Sequence, residues 1–88
     1  MTPIGPVPVF NCVVDLSAVA PDGTVVARVM NLAGIEATGR SQREALAAVV
    51  AAFKAEVSRL HSAGQEIPWV AEQPPAGGAS RRLIAVHL

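Results

Sequence analysis

The chain has 88 residues, 51% of them hydrophobic and only 16% charged, with seven basic side chains balanced by seven acidic ones. A net charge of zero excludes the concentrated positive field that non-specific binding to nucleic acid or to an anionic membrane surface needs. The single cysteine, Cys12, cannot form an internal disulfide, and no metal-ligand spacing surrounds it.

A chain of this length is one domain, residues 1–88, and buries about 60–65% of its unfolded surface. Charged residues usually make up about a quarter of a soluble domain, so this surface is short of charge. Surplus apolar side chains on so small a domain point to burial in an oligomer or partner interface. The N-terminus has no basic segment and no continuous apolar core, which is not the pattern of a secretory signal. No apolar run approaches the length of a membrane span. The expected location is cytoplasmic.

Prolines at positions 3, 6 and 8 make residues 1–8 an extended lead-in rather than part of a sheet interior. Residues 9–16, V-F-N-C-V-V-D-L, alternate as a strand should. Phe10, Cys12, Val14 and Leu16 share one face, and Val9, Asn11, Val13 and Asp15 share the other. Pro21-Asp22-Gly23 is a turn, because proline pre-sets its own φ and glycine tolerates a positive one. Residues 25–32 form the returning strand, with Val25, Ala27 and Val29 expected on the buried face and Val26, Arg28 and Met30 outward. Ala33-Gly34 breaks it, and residues 35–38 make a short third strand with Ile35 and Ala37 on one side.

Residues 41–63 carry the strongest local signal in the chain. Ser41 is an N-cap whose hydroxyl can accept from a free first-turn amide, and Glu44 stands where a capping box needs it. Alanines are frequent, no Gly or Pro interrupts, and Gly64 follows at the position where a left-handed residue closes a helix. Leu46, Val49, Val50, Phe53, Val57 and Leu60 recur at helical spacing and form an apolar stripe. Residues 73–80, Q-P-P-A-G-G-A-S, read as a mobile loop. Residues 81–88, R-R-L-I-A-V-H-L, form a fourth strand. The expected architecture is α+β in the order β-β-β-α-β, one long helix packed on a small, mainly antiparallel sheet.

At this point the sequence resembles the HicB-like antitoxins. Residues 25–35, V-V-A-R-V-M-N-L-A-G-I, look like that family's second strand and the Leu-x-Gly turn after it. Residues 39–46, G-R-S-Q-R-E-A-L, are similar to its Gly and capping residue before Glu-Ala-Leu, and 64–68, G-Q-E-I-P, to its Gly-x-x-Ile-Pro ending. The resemblance covers about half of the chain, and the order and spacing of its segments carry it. It implies a partial ribonuclease-H-like fold without nuclease activity. It also implies neutralisation of a small HicA-type mRNA-cleaving toxin by protein–protein occlusion. Family members often add a C-terminal DNA-binding segment, which the sequence does not show after its fourth strand. DNA binding by this chain alone is not expected.

Individual chemistry-bearing residues each have a plainer role to fill. Asp15 is the one acid in the first strand, and metal-dependent phosphoryl transfer needs several convergent carboxylates. The remaining acids fall in turns, caps and the helix surface, so Asp15 reads as a solvent-face or turn-bonding residue. His61 and His87 are two ligands at most where a structural zinc takes four. Cys12 reads as a small buried hydrophobe. The Arg81-Arg82 pair reads as a solvated strand start or an edge gatekeeper. No catalytic residue, metal ligand or cofactor site is expected, and the chain reads as a binding protein rather than an enzyme. Trp69, after the rigid Ile67-Pro68, is expected to close the end of the core, with a partner hot spot as its second reading. The fourth strand has apolar side chains on both faces, which suits pairing within the chain or with another subunit. The partner-binding candidates are therefore Trp69, Leu83, Ile84, Val86 and Leu88, in a homo-oligomer that engages a toxin. The alternative is a stand-alone oligomeric module, structural or small-ligand-binding, with no toxin partner.

Overall fold

The computed structural model describes residues 9–74, 77 and 79–88. The lead-in expected over 1–8 lies outside the described residues, as do 75, 76 and 78 of the loop expected to be mobile. The elements are β1 (Val9–Leu16), β2 (Val25–Val29), β3 (Glu36–Gly39), α1 (Gln42–Ser62) and β4 (Ser80–His87). They form one four-stranded sheet in the order β3-β2-β1-β4, antiparallel throughout, with the helix on one face. The α+β, β-β-β-α-β architecture expected from the sequence is the one observed.

The helix is built by its ends and its stripe. Ser41 is extended (φ −152°) and its Oγ accepts from the Glu44 N–H at 3.0 Å. At the other end the Gln65 N–H donates to the Leu60 carbonyl and the Gly64 N–H to the His61 carbonyl, with Gly64 at φ +67°. This is a Schellman closure, and it needs the left-handed residue that glycine supplies at low cost. Twenty-one residues span roughly 31 Å, enough to cross the sheet from the Leu16 end to the Phe10 end. Ala45, Val49, Phe53, Val57 and Leu60 are buried, while Leu46 and Val50 pack at the margin of the core. Ala45, absent from the expected stripe, is buried because β3 runs against the helix start. A Cβ at Gly39 would lie 2.5 Å from the Ala45 backbone nitrogen, so only glycine fits there.

The sheet presents Cys12, Val14, Leu16, Val25, Ala27, Val29 and Val86 to the helix, all buried in one cluster with Leu32, Ile35 and Phe53. The period-two faces of β1 and β2 are as the sequence predicts. β2 is shorter than expected and ends at Val29. The Met30 N–H still reaches the Val13 carbonyl (2.7 Å), but at Asn31 a side chain takes over from the backbone ladder. Asn31 Oδ1 accepts from the Val13 N–H (3.2 Å) and its Nδ2 donates to the Asn11 carbonyl (2.7 Å). With the pairing made by the amide, the main chain is free to turn away and sink Leu32 into the core.

The helix leaves the chain at the Phe10 end, where β4 also finishes, since Val9 pairs with His87. The chain returns to the Leu16 end before Ser80 can pair with Leu16, and that return makes β4 antiparallel to β1.

Candidate interaction surface

The face of the sheet away from the helix is where the molecule differs from its sequence pattern. Val13 points to this face yet is only 3% exposed. What lies over this face is the returning segment 69–74. The Trp69 strand bridge to Leu32 and the Val70 N–H to the Asn31 carbonyl (3.1 Å) fasten its beginning. Its far end is tied to Arg81. The Arg81 guanidinium donates from Nε to Asp15 Oδ1 (2.7 Å) and from Nη2 to Asp15 Oδ2 (3.0 Å). Nη2 also donates to the Gln73 carbonyl, and Nη1 lies 3.9 Å from a Glu72 carboxylate oxygen. The Asp15 hydrogen bonds hold Arg81 still more firmly in its charged form.

Two expectations are corrected here. Asp15 is not a solvent-face residue; it is the one buried charged side chain among the described residues and is satisfied by a bidentate pair. Arg81 is not a solvated strand start, whereas Arg82 beside it is exposed. A charge this poorly hydrated is tolerated only when its lone pairs are met, and Arg81 meets them. The loop expected to be mobile from residue 73 onward is tied down at Gln73, and β4 begins at Ser80.

Beside the Pro74 end of the segment, on the outer face of β1 and β2, lies a pocket of about 350 Å³ lined by Asp15, Ser17, Val26, Arg28, Met30, Pro74 and Ala79. On its other flank a cleft of about 480 Å³ opens between Met30, Gly34, Glu36, Val70 and Gln73. Arg28 bridges the two and is paired with Glu36 at 2.8 Å.

The partner-binding candidates divide. Leu83 is 74% exposed on the outer face, next to the exposed Ala85 and His87 and across the ladder from Val13. Val86 points the other way and is buried in the core, and Ile84 and Leu88 pack against that core as half-buried residues. Val86 is therefore a core residue rather than a docking one; alternation along β4 sends 84, 86 and 88 toward the helix. Trp69 closes the end of the core, as its first reading has it. Its ring lies 5.9 Å from Phe10 and 6.1 Å from Phe53, closing the end of the core, while 44% of the residue stays exposed. His61 meets the edge of Phe10 at 6.2 Å. β4 is the outer strand of the sheet, and among the described residues nothing pairs with its far edge.

Burial pushes the Cys12 thiol up to about 11, so it is a neutral, unreactive side chain at ordinary pH. Among the described residues no three His, Cys, Asp or Glu side chains are placed to share a metal ion. No described helix is long and apolar enough to cross a membrane. No family model, no curated protein and no solved structure matches the chain.

Proposed function

We propose that this chain is a HicB-like antitoxin-type binding protein, neutralising a small HicA-type mRNA-cleaving toxin by covering its active surface and associating with itself. The observation that carries the reading is the ordered run of family-like segments from residue 25 to residue 68, set within a β-β-β-α-β domain. The eight-residue β4 supports it, because among the described residues it is an outer strand, and such an edge can pair with a partner strand. Leu83 and Ala85 on the adjoining face add apolar surface, and Trp69 a half-exposed aromatic anchor.

The test is to co-express the chain with a small basic protein encoded beside it and measure the mass of the product by light scattering. A stoichiometric complex that suppresses mRNA cleavage is expected. The absence of any such neighbour, or a neighbour that never associates, defeats the reading. A second reading, a stand-alone oligomeric module that holds a small ligand, is favoured by the 350 Å³ pocket on the outer face of the sheet beside Pro74, a volume within the range of small-molecule sites.

A further inference from the structure

We infer that residues 70–74 form a strap over the outer face of the sheet, held among the described residues by Asn31 at one end and Arg81 at the other, which opens as a unit when the Arg81 clasp lets go. Three observations place it there. The strap's fastenings are terminal: the Val70 N–H on the Asn31 carbonyl at one end, Arg81 on the Gln73 carbonyl and near Glu72 at the other. Every residue from Val70 to Pro74 is exposed, an open volume of about 480 Å³ runs along Val70, Ala71 and Gln73, and one of about 350 Å³ meets Pro74. A segment bordered by open volume is not packed as a core element is, so little besides its end contacts resists its leaving. On the outer face of the sheet Val13 is buried, and Val26 and Met30 are half-buried.

Arg81 joins the strap, β1 and β4. Its side chain is 21% exposed and that of Asp15 is 11% exposed, so the pair sits at the edge of solvent rather than in the core. When the guanidinium swings outward, Gln73 loses its partner in the same movement that uncovers Asp15. The carboxylate then gains water, which offsets part of the lost pairing. Opening is therefore coupled: strap, Asp15 and the start of β4 at Ser80 loosen together, while the helix-facing core keeps its contacts. The Trp69 ring stays anchored by Phe10 and Phe53 and serves as the pivot, so the Val70 N–H leaves the Asn31 carbonyl as the strap lifts.

The experiment uses the full chain and two readouts. The first is cleavage after Glu72 by a glutamate-specific protease under native conditions, and the second is hydrogen exchange of the helix and β1 amides. Arg81→Gln combined with Asp15→Asn removes the clasp without leaving a buried unpaired charge. Cleavage after Glu72 is expected to accelerate at least tenfold in the double variant, with core-amide exchange changed no more than about twofold. Strap cleavage that rises only in step with core exchange, or does not rise at all, overturns the inference. Should the double variant fail to fold, the wild-type chain still decides. Val70 amide exchange must then be faster than that of the core amides and insensitive to low denaturant, as local opening requires. Val70 exchange that merges with global unfolding overturns the inference just as firmly.

Discussion

The two faces of the sheet are held by different physics. Toward the helix, a period-two set from β1 and β2 meets a helical stripe, and Cys12, Val14, Val25, Ala27, Val49, Phe53 and Val57 are all fully buried. Such packing is non-directional and shared among many contacts, so its arrangement does not hang on any one pair, although deleting a large side chain is costly. On the outer face, burial of Val13 and Asp15 depends on a few directional contacts made by residues far away in the chain. Asn31 bonds to β1 across 18 and 20 positions, and Arg81 reaches Asp15 across 66. One face is redundant and the other is specific. The specific face is the one that can open, which is why the candidate surfaces cluster there.

This contrast can be broken from either side, and the largest effect lies on the redundant face. Phe53→Ala removes the largest fully buried side chain and the platform under Trp69. A loss of about 3–5 kcal/mol is expected by chemical denaturation, a large share of the total stability of a chain this size. A smaller loss that leaves Trp69 fluorescence unchanged would show the core to be looser than its geometry.

The next effect is a pH dependence from the same face. The folded Cys12 thiol, raised to about 11 from an ordinary value of 9.0, stays protonated while an unfolded one ionises. Its contribution is therefore fully present below about pH 9 and is lost as pH rises toward 11. Stability should fall across that window by up to about 1.4 kcal/mol per pH unit, and Cys12→Ala should flatten the slope. An unchanged slope in the variant would assign the effect to other groups.

On the specific face, Asn31→Ala leaves the Val13 N–H and the Asn11 carbonyl without their partner. A cost of about 1–3 kcal/mol is expected, with faster exchange confined to the Val13 amide and its neighbours. A uniform rise in exchange across β1 would mean that the amide supports the whole sheet. The smallest effect is at Leu83. Leu83→Ser on the exposed outer face should change stability by less than about 0.5 kcal/mol. It should nevertheless weaken the proposed self-association, measured by sedimentation. A variant that keeps the wild-type mass would remove Leu83 from the interface.

The helix and the strand faces were legible in advance because their signals are local. A cap, a Gly terminator and an apolar repeat act within a few residues, and so Ser41, Gly64 and the stripe from Val49 to Leu60 stand where expected. Ala45 escaped because its burial comes from Gly39 approaching it, and no period records a neighbour's missing Cβ. Val86 was read as an interface candidate because apolar residues alternate on both sides of β4; only packing decides which side meets the helix. The end of β2 was misplaced by three residues, since Asn31 in a strand-like run does not reveal that its amide will replace the ladder.

Asp15 and Arg81 mark the boundary most plainly. Composition and periodicity could set the fold class, the helix and one buried face, because those depend on spacing along the chain and on burial that any neighbour can provide. The charge pair, the strap it fastens and the buried outer-face Val13 arise only when the return after the helix brings residue 81 beside residue 15. Directional contacts between residues so far apart carry no local trace, because what decides them is the path of the chain between them.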